Sequence, residues 1–89
     1  MNAAPTKEQI LRDILPGLAD LFESGGTSWH GIEPDRDHPE EFEPLRECLA
    51  EMISEGWLVQ HAPLKIYRLT PEGYKHYRPQ IQALRVLGN

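Results

Sequence analysis

The sequence predicts a small α+β domain in which helices pack on a two- or three-stranded antiparallel β ribbon. Three observations carry this. Residues 10–22 and 45–53 keep the apolar spacing of a helix with one buried face. Gly56 then breaks the second stretch. Two short runs rich in β-branched and aromatic residues follow, Trp57-Leu58-Val59 and Lys65-Ile66-Tyr67-Arg68-Leu69, and each reads as a strand. Finally, Thr70-Pro71 joins an N-cap residue to a proline suited to the first helical position, so a helix restarts there.

Taken in order, residues 1–5 are expected to fray as a disordered tail, which leaves residues 6–89 as one domain. Thr6-Lys7-Glu8-Gln9 has the form of a capping box. The helix it opens covers about residues 7–23, with Ile10, Leu11, Ile14, Leu15, Leu18, Leu21 and Phe22 on one face. Pro16-Gly17 is expected to kink this helix without ending it, because the apolar period continues in phase beyond it. Ser24-Gly25-Gly26 ends it.

Thr27-Ser28-Trp29 is the candidate for a short strand, residues 31–39 are polar and turn-like, and Pro39-Glu40-Glu41-Phe42 has the makings of one helical turn. The next helix is expected to begin with Pro44 at its first position. It shows Leu45, Cys48, Leu49, Met52 and Ile53 inward and ends on Gly56 as a left-handed C′ residue. Pro63 marks the turn between the strands. After Pro71, Tyr74, Tyr77, Ile81 and Leu84 form a narrow a/d-type seam that Leu87 extends. Such a seam has two uses, packing on the first helix or pairing with a second copy as a dimer. Pro79 is expected on the outer side or at a kink.

Gly56-Trp57-Leu58-Val59, followed by Tyr67-Arg68-Leu69-Thr70-Pro71-Glu72-Gly73, resembles the wing region of bacterial winged helix-turn-helix proteins. The resemblance covers roughly residues 44–75 and implies a small winged-helix-like domain of order helix, loop, helix, hairpin, helix. It also implies that the helix before Gly56 occupies the DNA-reading position and that the hairpin is the wing. The chain departs from the pattern over residues 27–43, where the family has a short strand and a second helix.

Composition is that of a soluble globular protein, and one cysteine cannot form an internal disulfide. No apolar run is long enough to span a membrane and no signal peptide opens the chain, so a cytoplasmic protein with no membrane partner is expected. Cys48 falls on an apolar helix face and reads as a small buried hydrophobe. The net charge of −5 is unevenly distributed. Residues 1–60 carry four Lys/Arg against thirteen Asp/Glu, and residues 61–89 carry five against one. Either the two halves neutralise one another in the fold, or each presents a charged surface.

The would-be reading helix carries Glu43, Glu47, Glu51 and Glu55 at every fourth position, preceded by Glu40 and Glu41, with Arg46 as its basic residue. Such a stripe is either a solvated face or, if it is functional, one better matched to a basic protein surface than to DNA, because duplex DNA binds through neutralisation of its phosphates. The opposite case rests on Lys65, Arg68, Lys75 and Arg78, with His61 and His76 nearby, which suit a wing lying along phosphates. Trp57 and Ile66 are expected on the outer hairpin face, where an exposed pair would anchor a partner. His30, His38, His61, His76 and Cys48 show no metal-ligand spacing, and Glu33, Asp35 and Asp37 lack the glycine and closing glutamate of a calcium loop. No phosphate loop, nucleophile elbow or triad is visible. The expectation is a non-catalytic binding module without metal, cofactor or small-molecule substrate. Its partner is a protein or a second copy through the acidic face or the seam; the alternative is a small DNA-binding regulator.

Overall fold

The first helix is nucleated as its capping residues dictate. Thr6 Oγ1 accepts from the Gln9 N–H at 3.2 Å, and Gln9 Oε1 accepts from the Thr6 N–H at 2.8 Å. In the computed structural model, which describes residues 4–25 and 28–87, this helix is α1, Lys7–Glu23. Residues 1–3 of the expected tail, and Gly26 and Thr27 of the expected loop and strand, lie outside the described residues. The helix runs on through Pro16, which is exposed. Gly17 is needed for a different reason: a Cβ there would stand 2.5 Å from His30 Cε1 and 2.8 Å from His30 Nε2.

The short strand lies later than the expected Thr27-Ser28-Trp29. It is β1, His30–Gly31, and Trp29 precedes it. Its register is set across the chain: His30 pairs with Tyr67, Gly31 with Ile66, and the Ile32 N–H donates to the Lys65 carbonyl at 3.1 Å. That register buries Ile32 to 6% exposure. Sequence alternation alone could not place it.

Residues 33–38 form turns and no helix. The Asp37 N–H donates to Asp35 Oδ1 at 2.9 Å and the His38 N–H to the Asp35 carbonyl at 3.0 Å. A single 3₁₀ turn, Pro39–Glu41, then runs straight into α2, Phe42–Ser54. Between β1 and α2 the described residues hold that one turn and no further helix, where the resemblance implies a second helix. The α2 helix begins two residues before the expected start, so Pro44 sits within the first turn, where a backbone N–H has no helical partner in any case.

The α2 C-terminus is closed by a Schellman motif. Gly56, at φ +79°, donates to the Ile53 carbonyl at 3.0 Å, and the Trp57 N–H donates to the Met52 carbonyl at 2.9 Å. The hairpin follows: β2 is Leu58–Gln60 and β3 is Ile66–Leu69, antiparallel, with Leu58 opposite Leu69 and Val59 opposite Arg68. With β1 on the other side of β3, the sheet has three strands in the order β1-β3-β2.

The last helix is α3, Pro71–Leu87. Thr70 caps it, accepting from the Gly73 N–H at 2.9 Å. The same hydroxyl donates to the Gly56 carbonyl at 2.6 Å, and the Thr70 N–H donates to the Trp57 carbonyl at 3.0 Å. Pro79 is exposed within α3. The architecture is therefore α+β, three helices and a three-stranded antiparallel sheet in a winged-helix-like layout.

The core joins all of these elements. Leu15, Leu18, Met52, Tyr77 and Ile81 are its most deeply buried large side chains. At one end of the α1–α3 contact the rings of Phe22 and Tyr74 stack at 4.4 Å. There Arg85 donates to both Glu23 carboxylate oxygens, at 2.6 and 2.9 Å, and to Asp20 Oδ1 at 3.2 Å. The Tyr74 hydroxyl donates to Glu23 as well. Arg85, and then Tyr74, hold the Glu23 carboxyl at about 2, against an ordinary 4.5.

Three outcomes follow for stability. Gly73→Ala would press a Cβ into the Trp57 backbone, with Trp57 C at 2.7 Å and Cα at 2.8 Å. It is expected to lose about 3 kcal/mol in urea denaturation. Gly17→Ala should lose less, because the His30 ring tip can turn aside and alanine favours the helix by up to about 1 kcal/mol. A carboxyl with a depressed folded pKa stabilises the fold above its unfolded value and loses that contribution as pH falls through the folded one. Glu23→Gln is therefore expected to lower the urea midpoint at neutral pH, and to flatten its decline between pH 4.5 and about 2.

Candidate functional site

The helical period that buries Cys48, Leu49 and Met52 turns Glu43, Glu47, Glu51 and Glu55 to solvent along α2. All four are exposed, and their surroundings differ. Arg46 holds Glu43 through its Nη2 at 2.6 Å and its Nε at 3.3 Å, which pulls the Glu43 carboxyl below the usual carboxylate range. Glu51 pairs with Lys7 of α1, both about half exposed. Among the described residues, the Glu47 and Glu55 side chains have no hydrogen bond or ion pair. Before the helix, Glu40 meets His38 Nδ1 at 3.1 Å and pushes the imidazole pKa up.

The basic residues lie elsewhere. Lys65 precedes β3 and is exposed, and Lys75 and Arg78 are exposed on α3. Among the described residues these three make no ion pair with the α2 glutamates. Arg68, on the outer side of β3, lays its guanidinium 4.0 Å from the Trp29 ring centroid and donates to the Ser28 carbonyl at 3.4 Å. The Trp29 ring in turn meets the His61 ring at 5.1 Å. The two charged regions thus do not pair with one another through these three cations. Arg85, with Asp20 and Glu23, neutralises charge between the chain halves.

Trp57 does not form an outward pair with Ile66. Its backbone closes the Schellman motif, and its ring stacks on His76 at 3.7 Å and meets Tyr77 edge-on at 5.5 Å. Ile66 is half-buried, and the exposed apolar residue of the hairpin face is Val59, at 42%. The seam on α3 faces α1. Tyr77 and Ile81 are each 2% exposed, and Tyr74 and Leu84 pack partly buried against the same core, so these four lie inside the single chain. Leu87, the expected extension, is 81% exposed and lines a cleft with Leu84 and with Leu11 and Leu15 of α1.

Cys48 is buried, and desolvation raises its thiol pKa. Among the described residues no group of three or more His, Cys, Asp or Glu is placed to hold a metal ion, and no helix is long and apolar enough to cross a membrane. Sequence reasoning missed the Lys7–Glu51 pair, whose partners are 44 positions apart with no local signal linking them. Comparison with family models, with curated proteins and with solved structures finds no match to the chain.

The different surroundings of the stripe are measurable. Glu47→Gln removes repulsion from Glu43 and Glu51 without breaking a pair, and should raise stability by a few tenths of a kcal/mol. Glu51→Gln gains similar relief but loses the half-exposed Lys7 pair, worth below about 1 kcal/mol, and should be neutral or slightly destabilising. Thermal melts of both variants beside the parent protein check the order.

Proposed function

We propose that the chain is a non-catalytic binding module on a winged-helix-like scaffold, which docks a basic protein surface through the acidic face of α2. The observation that carries this reading is the exposed stripe itself. The Glu47 and Glu55 side chains make no hydrogen bond or ion pair among the described residues, Arg46 acting on Glu47 only through space, and Lys65, Lys75 and Arg78 make no ion pair with the stripe. Carboxylates at four-residue intervals repel one another, and a cationic partner relieves that repulsion on binding.

One observation favours a second reading, a small regulator that contacts DNA through its wing. Lys65, Lys75 and Arg78 carry no ion pair among the described residues and so remain available to phosphates. Against it, the helix in the reading position would bring its carboxylates toward the phosphate backbone.

Fluorescence anisotropy with labelled oligolysine and with labelled duplex DNA separates the two. Oligolysine is expected to bind, to weaken with salt, and to lose about tenfold in affinity when Glu47 and Glu55 are both changed to Lys. Duplex DNA is expected not to bind at low salt. Duplex binding that falls linearly with log salt, with a slope reduced by Lys65→Ala or Arg68→Ala, overturns the protein-docking reading in favour of the wing.

A further inference from the structure

The loop that replaces a second helix leaves an apolar groove beside α2. Two adjoining clefts share Ile32, Pro34 and Leu45. The first, about 160 Å³, is floored by Ile10, Ile14, Ile32 and Leu45. The second, about 290 Å³, continues past Phe42 and Leu49 to Tyr67 and Lys65. Its lip is apolar, since Phe42 is 40% exposed and Leu45 only half-buried. Turns made by Asp35, Asp37 and His38 have no apolar face to lay over these side chains.

The charge on the rim says what fits there. Asp13, Glu33, Asp35 and Glu41 border the first cleft. Among the described residues no lysine or arginine pairs with any of them, and Asp35 meets only His38, at 3.8 Å, and the Asp37 N–H. The cleft next to it, lined by Pro5, Lys7, Ile10, Glu47 and Glu51, shares Pro5 and Ile10 with the first, so groove and α2 stripe form one continuous surface in which acids outnumber the single cation, Lys7. The second cleft is bordered by the paired Glu43 and Arg46 and, at its far end, by the cation of Lys65.

We propose that this groove is the anchor point of the docking surface: it takes one large apolar side chain of a protein partner, carried on a segment whose neighbouring residues are Lys or Arg. The inference rests on the basic-partner reading above and adds to it the apolar residue that confers specificity. Carboxylates around an apolar floor favour cationic neighbours of the anchor, and burial of the anchor supplies affinity that salt does not screen. A second copy of this chain meets the requirement less well, since its exposed Leu64 has a single cation beside it, Lys65. Its exposed apolar tip, Val86 and Leu87, follows Arg85, whose guanidinium is held by Asp20 and Glu23.

The test uses the whole chain and two labelled peptides of equal charge, Lys-Arg-Leu-Arg-Lys repeats and the same peptide with Ser for Leu. Anisotropy at physiological salt should show the Leu peptide binding about tenfold more tightly. Asp13→Lys with Glu33→Lys, both at exposed positions, should remove most of that preference. Amide shifts on titration, which do not depend on any variant folding, should centre on Ile14, Ile32 and Leu45. Equal affinity of the two peptides, with shifts confined to residues 47–55, overturns the groove and leaves the α2 reading standing. Preference for Leu that is unaffected by Glu47→Lys and Glu55→Lys upholds the groove and overturns the stripe. No binding of either peptide overturns both, and a concentration-dependent dimer that the Leu peptide disrupts replaces the proposed partner with a second copy.

Discussion

One junction holds the fold together, the place where the end of α2, the root of the hairpin and the first turn of α3 meet backbone to backbone. Thr70 bonds to the carbonyls of both Gly56 and Trp57 while capping α3, and Gly73 lets that first turn lie directly on Trp57. None of these bonds depends on a long side chain, so the junction tolerates little adjustment. It fixes the direction in which α3 leaves the sheet, and hence lays Tyr77 and Ile81 onto the core. It also explains the spacing of Thr70 and Gly73 within the wing-like motif: one residue supplies the hydroxyl, and the other withholds a methyl group where the chains cross.

Around that rigid centre the charge is sorted. The acids of α1's last turns, which oppose the helix dipole there, are balanced by Arg85. The stripe on α2 is balanced only in part, by Arg46 and Lys7, and the hairpin's cations lie elsewhere. The result is a small scaffold with regions of opposite sign that do not neutralise one another through Lys65, Lys75 or Arg78. An orienting field of this kind affects how fast and in what pose a partner arrives more than how stable the scaffold is.

Much of the fold was legible in the sequence because much of it is decided locally. The apolar period of α1 and α2, the Thr6–Gln9 box, Gly56 and Thr70-Pro71 each act within a few residues. What sequence reasoning missed is set across the chain. The place of β1 depends on its register with β3, and the seat of Trp57 depends on His76 and on the closing of α2. The reduction of the second helix was foreseen in its polar, proline-bounded stretch, but the groove that results was not, since its walls come from α1, α2 and the loop together. Of the candidate site residues, the exposure of the α2 glutamates followed from periodicity alone. Their partners did not, because Lys7 reaches Glu51 only in the folded chain.

The two tryptophans have a use that follows from where they sit. Trp57 is stacked face to face with an imidazole at the root of the hairpin, and Trp29 lies beneath a guanidinium at the margin of the sheet. The chain contains no other indoles. Each is a fluorophore reporting on a different seam of the molecule, so replacing either one with phenylalanine leaves a single-site optical probe. With such a pair, loosening at the β1 edge can be told apart from separation of α3, without attaching any label.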